Sequence, residues 1–252
     1  MKIKREKILN LILPLISVFA VILAWWVASA SINNSFILPS VKETGERFLM
    51  LFLEKRFYLA FSLTLLRSVM AFVISFALAF FLAILSGKNS CVKKLIAPII
   101  SITRSLPTIA IVLLLLLWTN SSVAPVIVTM LVVFPTTYTH LESAFSSLDK
   151  TVVEAGRVDG ANEFQVFKKI EIPIALPSIY LAIGSGFSLN FKLMVAAEVI
   201  SQTANSIGYM LNTSKVYFET AEMLALVCAS VLLGVIVEAT FNKLSKKAGE
   251  WR

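Results

Sequence analysis

Residues 154–173 read EAGRVDGANEFQVFKKIEIP, a charged segment that lies between two long apolar stretches of the chain. Glu154, Ala155 and Arg157 favour a short helix, and the pair Asp159–Gly160 is a turn signal that would end it. Charged side chains are costly inside a lipid bilayer. The segment is therefore predicted to lie outside the bilayer, as an ordered polar element of an otherwise apolar protein.

A second short helix is predicted to follow the turn. Asn162, with Gln165 three residues later, matches the capping box that begins many helices. Apolar residues then recur at a spacing of three and would form a stripe on this helix, namely Phe164, Phe167 and Ile170. Pro173 is expected to stop the helix and begin the next span. Residues 149–173 would thus form a helix-turn-helix element, whose stripe buries against lipid head groups or a partner protein.

The rest of the chain has the composition of a membrane protein. Of its 252 residues, 58% are hydrophobic and only 15% are charged, and the mean hydropathy is +0.84. A water-soluble domain of this size needs more charged side chains to cover its surface. The formal net charge of +8 favours lipid head groups over nucleic acid, because the basic residues flank the apolar stretches.

Six apolar stretches each approach the ~20 residues that a transmembrane helix requires. Their approximate bounds are 8–30, 60–86, 95–118, 123–141, 174–200 and 220–242. The first follows a basic N-terminus and imitates a signal peptide, but its apolar part exceeds the ~7–15 residues typical of one. Residues 1–35 are therefore assigned to an N-terminal tail and an uncleaved first span. The predicted fold class is an all-α membrane protein with about six transmembrane helices.

The distribution of Lys and Arg predicts the orientation of the spans. With the N-terminus inside, fifteen of the 23 basic residues fall on the cytoplasmic side and five outside, the latter being Lys42, Arg47, Lys55, Arg56 and Lys215. Both termini and the helix-turn-helix element are therefore predicted to be cytoplasmic. Residues 36–57 lie outside; they begin with a Pro-Ser helix-start signal and mix apolar with charged residues, which predicts an amphipathic helix at the outer interface.

The helix-turn-helix element also resembles a known motif. Glu154-Ala155-Gly156, three residues, Gly160, nine residues and Ile170-Glu171-Ile172-Pro173 are similar to the EAA motif of ABC-importer permeases. The spacing is met throughout, with Gly156 in place of the second Ala and Ile172 in place of Leu. At this position in a six-span chain the resemblance is specific.

Other stretches are similar, in the same order, to the nitrate/sulfonate/taurine-type branch of these permeases. They are Phe36-Ile37-Leu38-Pro39-Ser40, Ser62-Leu63-Thr64-Leu65-Leu66-Arg67, Arg104-Ser105-Leu106-Pro107, Ala197-Glu198 and Gly208-Tyr209. The resemblance covers residues 36–245 and implies a type I ABC-importer transmembrane domain, with a cytoplasmic coupling loop at 142–173. The chain departs from the branch at 117–123, which lacks the frequent Trp-Phe-Gly turn, and at Lys192, a position that is not usually basic.

The resemblance implies a non-catalytic subunit of the bacterial cytoplasmic membrane that is driven by a separate ATPase. The residues that it implies for contact with the ATPase are Glu154, Ala155, Gly156, Arg157, Gly160, Phe164, Phe167, Ile170 and Pro173. Its implied partners are two ATPase subunits, a second copy of the permease or a different permease, and an extracytoplasmic substrate-binding protein. The sequence itself has no G-x-x-x-x-G-K-[ST] phosphate loop, and its two cysteines form no metal pattern, so no cofactor or metal is expected.

Charged residues within the predicted spans are candidates for the substrate path or gate, because a charge at membrane depth usually faces a cavity or a partner. Arg104 and Pro107 could line a gate, or Arg104 could bond to carbonyls that the proline exposes. Lys192 is a candidate for attracting an anion. Glu198 is off the i, i+4 face of Lys192 and could hold the outer gate or another helix. Arg67 is expected to snorkel towards a span end.

The predicted function is that of an ATP-driven importer's permease subunit, which carries a small solute. Arg104 and Lys192 favour an organic or inorganic anion, while the branch also handles larger neutral or cationic vitamin precursors. A secondary transporter or a channel subunit is the alternative class. Secondary transporters often show internal repeats and buried acidic sites, and this sequence has no evident repeat and few buried acids.

Overall fold

The computed structural model describes the backbone of residues 2–158 and 160–250, and the side chains of all of these except 2–12, 14, 15, 150 and 157. The described residues are nearly all helical and include no strand. The helices are α1 Lys2–Ile32, α2 Val41–Leu51, α3 Lys55–Lys88, α4 Ser90–Ser105, α5 Thr108–Trp118, α6 Ala124–Ser146, α7 Lys150–Val158, α8 Glu163–Val166, a π-helical turn Phe167–Glu171, α9 Ile172–Ser201, α10 Ile207–Val216 and α11 Thr220–Gly249.

Four helical segments are long and apolar enough to cross a bilayer, and the prediction of an all-α membrane protein is confirmed. They are α3, α6, α11 and the continuous helix Glu163–Ser201, which contains α9. α4 and α5 together make a fifth candidate. The described apolar part of α1, Ile16–Ile32, is shorter than a full span, and most of the first half of the predicted first span lies outside the described side chains.

The span predicted over 95–118 is not one continuous helix but a bent pair, α4 and α5, broken at the proline that was expected to open it. α4 and α5 meet at an angle of 92°, because Leu106 (ψ 128°) and Pro107 (ψ 112°) both have extended backbone. Proline disfavours the helical conformation of the residue before it and has no N–H to donate. Arg104 consequently lies at the end of α4 rather than in the middle of a helix.

Residues 59–209 and 230–252 form one compact unit. Its core is a cluster of buried residues from α3, α4, α6 and α9, comprising Ala79, Ala83, Ile96, Ile100, Tyr138, Leu141, Phe145, Ala175, Ile179 and Ala182. The small residues allow helices to approach closely, which is how spans associate where lipid removes the hydrophobic driving force. At Gly186 of α9, a Cβ would lie 3.1 Å from the Phe72 ring and 3.3 Å from the Thr137 hydroxyl.

Residues 1–58 and 210–229 form the second unit. α2 begins with the predicted helix start: the Ser40 hydroxyl accepts the Glu43 N–H at 3.1 Å, and the Glu43 carboxylate accepts the Ser40 N–H at 2.8 Å. This reciprocal capping box satisfies two backbone donors. The Trp25 indole N–H donates to the Pro39 carbonyl at 3.0 Å and ties α1 to the entrance of α2.

An ion-pair network stabilises the same unit. Arg47 pairs with Glu54 at 2.8 Å and also with Glu222 at the start of α11. Arg56 pairs with Glu54 at 2.6 Å and with Glu222 at 2.9 Å. Glu222 is almost fully buried. Arg47 and Arg56, two of the five basic residues predicted to lie outside, therefore pair with the carboxylates of Glu54 and Glu222.

Candidate functional site

The first helix of the helix-turn-helix element is α7. Asp149 precedes it, and its carboxylate accepts the Thr151 hydroxyl at 2.6 Å and the Thr151 N–H at 2.9 Å. These two hydrogen bonds lower the pKa of Asp149. α7 exposes Glu154, Ala155 and Val158, and Val158 retains 86% of its surface.

The predicted turn is present at Gly160, which has a φ of +82°. Glycine adopts this left-handed backbone without the strain that a Cβ would bring. No described atom lies within 4 Å of the position a Cβ would take, so the left-handed backbone is what favours glycine here. Two predicted residues, Asp159 and the side chain of Arg157, lie outside the described ones.

The second helix begins at the predicted capping box. The Asn162 side chain accepts the Gln165 N–H at 2.9 Å, and the Gln165 side chain accepts the Asn162 N–H at 3.0 Å. Pro173 does not stop this helix, contrary to the prediction. The chain widens into the π-helical turn, where the Ile172 N–H donates to the Phe167 carbonyl five residues back. This wider winding accommodates a residue that lacks an N–H, so the helix continues into α9.

The buried face of this helix differs from the predicted stripe. Val166 is fully buried, while Phe167 and Ile170 are half-buried. Phe164 was predicted to belong to the buried stripe but remains 69% exposed. The spacing of Val166 and Ile170, four residues apart, is the signal that could have identified Val166.

The buried face is held by α3 and α6. The Phe167 ring stacks on Phe145 near the end of α6, with centroids 6.4 Å apart. Lys88, the last residue of α3, places its Nζ 5.4 Å from the centroid of the Phe167 ring and 3.6 Å from the Glu163 carboxylate. A cation over an aromatic face is attracted by the ring's negative potential. The helix-turn-helix element is therefore anchored to the spans on one side.

Gly156 explains one departure from the EAA pattern. A Cβ at this position would overlap Cδ1 of Ile170, on the helix that follows the turn. The two helices of the element thus touch at a point where α7 contributes only backbone. The absent methyl group of Gly156 makes room for the longer side chain of Ile170.

Arg104 lies in a second feature, a groove of about 520 Å³ beside α4 and α6. The guanidinium donates to the Thr139 hydroxyl at 2.8 Å rather than to a carbonyl of the broken helix. At another part of the groove, Lys93 pairs with Glu142 at 2.6 Å. Among the described residues Arg104 has no carboxylate partner, so this groove, here called the Arg104 groove, carries an excess positive charge.

The other predicted path residues lie elsewhere. Pro107 is exposed at the break between α4 and α5. Lys192 is exposed on α9, forms no ion pair within the described part of the chain, and does not line the Arg104 groove. The structure therefore does not place Lys192 in the Arg104 groove.

Glu198 is fully buried and ties α9 to another helix, one of the two roles considered for it. Its carboxylate accepts hydrogen bonds from Arg67 at 3.0 Å and from the Thr64 hydroxyl at 2.8 Å, both on α3. The prediction that Arg67 snorkels is wrong, because its charge is neutralised inside the protein. The sequence did not identify Arg67 or Thr64 as partners, since 131 residues separate Arg67 from Glu198.

Several proteins named as transport permeases are similar to this chain over most of its length. The taurine transport system permease protein of Escherichia coli (strain K12) is 22% identical over 244 residues, which cover 94% of this chain and 88% of that protein. A putative aliphatic sulfonates transport permease of Bacillus subtilis (strain 168) is 23% identical over 236 residues, covering 92% and 85%. A probable ABC transporter permease of Brucella abortus (strain 2308) is 23% identical over 229 residues, covering 90% of each chain.

Solved structures share the fold. A chain of the bacterial alginate ABC transporter, crystallised with an alginate pentasaccharide-bound periplasmic protein, superposes with a TM-score of 0.67 at 14% identity, covering 98% of this chain and 96% of that one. A chain of the inward-facing MetNI methionine ABC transporter gives 0.63 at 17% identity, covering 76% and 93%. The family described as binding-protein-dependent transport system inner membrane component matches residues 76–249. That match spans more than half of the sequence and includes the helix-turn-helix element, and the chain belongs to this family of transport permeases.

Proposed function

We propose that the chain lines the substrate path of an ATP-driven importer and receives its energy from a separate ATPase through the helix-turn-helix element. The exposure of Val158 and Phe164, on either side of the Gly160 turn, carries this proposal. Exposed apolar side chains grouped on an ordered polar element are typical of a surface that a partner covers. The opposite face of the element is already anchored by Phe145 and Lys88.

The continuous helix Glu163–Ser201 gives the element a direct mechanical connection to the membrane. No loop separates the second helix of the element, which carries Phe164, from α9. A displacement of the docked element therefore tilts or shifts α9 as a rigid body, the kind of motion by which domain movements are transmitted.

The proposed assembly contains two copies of this permease, two ATPase subunits and an extracytoplasmic substrate-binding protein. Its support is the family, whose description names a binding-protein-dependent system of the inner membrane, and the small number of spans, which enclose little space in one copy. The excess of basic residues on one side orients both termini and the helix-turn-helix element towards the cytoplasm.

We propose a small organic or inorganic anion as the transported solute. The Arg104 groove supports this choice, because its guanidinium uses one donor on Thr139 and has no carboxylate partner among the described residues. A guanidinium presents donors that match the geometry of oxyanions. Relatives named for taurine and aliphatic sulfonates point to the same class.

Two substitutions in the helix-turn-helix element test the proposal. Glu154→Lys reverses an exposed charge, and Gly160→Asp adds a negative charge to the open space at the turn, where the partner would dock. Both variants should insert normally into the membrane and abolish solute uptake. Glu46→Lys reverses another exposed charge, on α2, and should leave uptake unchanged. Normal uptake and normal co-purification of the ATPase in both test variants would contradict the assignment.

A further inference from the structure

The last turn of α9 carries a carboxylate that lies away from the Arg104 groove. Glu198 has no exposed surface, and Arg67, which pairs with it, is only 16% exposed. Both charges therefore lie inside the protein, each on a helix long and apolar enough to cross a bilayer. Burying an ion pair is costly, and removing one partner leaves the other charge uncompensated. Such a pair calls for a role beyond general stability.

Thr64 connects this pair to a third helix. Its hydroxyl donates to Glu198 at 2.8 Å and accepts the N–H of Ile207 at 3.0 Å, and Ile207 is the first residue of α10. The N–H of Gly208 faces the same carboxylate oxygen at 3.5 Å. The first N–H groups of a helix have no partner within it, and its positive end favours a negative charge. α3 and α9 thus jointly satisfy the first turn of α10.

The backbone of α10 also lies against α9 at this point. A Cβ on Gly208 would overlap Cβ of Glu198 and the backbone N of Val199. Any other residue at 208 would push the first turn of α10 away from α9. Close approach of the backbone therefore explains why glycine occupies the position.

The connection between α9 and α10 is equally constrained. Gln202 and Asn205 have φ values of 50° and 51°, a left-handed conformation that is uncommon outside glycine. Thr203 is fully buried, and its hydroxyl donates to the Ser121 carbonyl in the turn between α5 and α6. Ser206 accepts the Tyr209 N–H at 2.9 Å and caps α10. This connection is held by specific hydrogen bonds along its length.

We propose that Thr64, Arg67 and Glu198 form a clamp, here called the α10 clamp, which positions the start of α10. The clamp also holds residues 202–208 as a rigid segment that closes the protein at the end of α9. α10 has ten residues, too few to cross a bilayer, so protein contacts rather than lipid determine its position. Arg67 and Glu198 are positioning residues in this account, which act on transport without touching the solute. The clamp requires neither an ATPase nor a particular solute, and its test is therefore independent of the proposed function.

Spin-label distances measure the clamp directly. In the full-length chain with its two cysteines replaced by Ser, labels at Leu66→Cys on α3 and Tyr209→Cys on α10 report the distance between the two helices in lipid nanodiscs. Thr64→Val removes the bridging hydroxyl, Thr64→Ser retains it, and Glu198→Gln removes the charge. Thr240→Val is the matched control, because the Thr240 hydroxyl donates to the Ile236 carbonyl of its own helix and has no other partner in the described part of the chain.

If the clamp holds α10, the distances between the two labels form one narrow distribution in the parent chain, in Thr64→Ser and in Thr240→Val. Thr64→Val and Glu198→Gln should each add a second, longer distance and shift the ratio of held to released α10 by about fivefold to tenfold, the effect of one lost buried hydrogen bond. Either variant showing this shift supports the clamp even if the other fails to accumulate. Distances identical to the parent in both variants would overturn it.

Discussion

The ring of Phe167 stacks on that of Phe145, at an angle of 28° between the ring planes. Phe145 in turn contacts Phe80 of α3, with centroids 5.8 Å apart. The helix-turn-helix element therefore meets the membrane-spanning helices twice, by a ring contact to α6, which itself packs on α3, and by an unbroken backbone into α9. Both connections favour movement of the element together with the spans.

The contact of Gly156 with Ile170 predicts a compensating pair of substitutions. Gly156→Ala places a methyl group against Cδ1 of Ile170, and such overpacking typically costs about 1–3 kcal/mol. Ile170→Val removes that Cδ1, so the double variant should recover most of the uptake and thermal stability that Gly156→Ala loses. Additive losses in the double variant, measured by uptake and by the unfolding midpoint, would show that the two helices do not meet as described.

The backbone of Gly160 predicts that residue type, rather than size, decides tolerance at the turn. Asn adopts a left-handed backbone readily, whereas a β-branched residue is strained there by about 1–2 kcal/mol. Because the space around Gly160 is open, Gly160→Asn should retain most uptake and Gly160→Val should lose it. Quantitative uptake at matched membrane levels distinguishes the two, and equal activity would remove the backbone argument.

The unpaired guanidinium of Arg104 predicts a change in transport kinetics. Arg104→Met removes the excess charge of the Arg104 groove, and the rate for an anionic solute should fall by about tenfold or more, the cost of one charged hydrogen bond. Lys192→Met tests the second predicted cation in the same assay. Unchanged rate and selectivity would exclude the corresponding residue from the path.

The ion-pair network of α2 and α11 predicts a pH dependence of stability. Burial raises the pKa of Glu54, but the hydrogen bonds and positive charges of Arg56 and Arg47 outweigh it, and the net pKa falls below its ordinary value of 4.5. Ionised Glu54 therefore stabilises the folded state above pH 4.5. This stabilisation is lost as the pH falls from there through the lower folded-state pKa.

Glu54→Gln should remove that contribution, about 0.5–1 kcal/mol at neutral pH for a partly exposed pair. The unfolding midpoint of the variant should also fall less steeply than that of the parent as the pH is lowered below 4.5. Glu46→Gln is the control, since Glu46 is exposed and its ion pair among the described residues is with the exposed Lys42. The network is not coupled to pH through Glu54 if the parent and Glu54→Gln show the same slope.

The features that the sequence predicted correctly depend on residues close together in the chain. The helix start at Ser40, the capping box at Asn162 and the turn at Gly160 are each determined by residues at most three positions away. The bend at Pro107 was underestimated, because the sequence shows a missing donor but not how far the following helix turns. The spacing of three that led to Phe164 overlooked Val166, since burial depends on the neighbouring α3 and α6.

Contacts between distant segments could not be predicted from the sequence. The Arg67–Glu198 pair joins two helices far apart in the chain, and each residue alone resembles an ordinary charge within a span. The Arg47–Glu222 pair is similar, with 175 residues between its members. Only the fold determines which of the few charges in an apolar chain become partners.

Docking of an ATPase on the exposed side of the helix-turn-helix element is tested most directly by co-purification. Phe164→Asp places a charge on the proposed docking surface without disturbing the buried Val166 face. Leu53→Asp, at another exposed apolar residue, is the control. An ATPase subunit should co-purify with the parent chain and with Leu53→Asp, and should be lost from Phe164→Asp, together with uptake. Full retention of the ATPase and of uptake in Phe164→Asp would contradict the account.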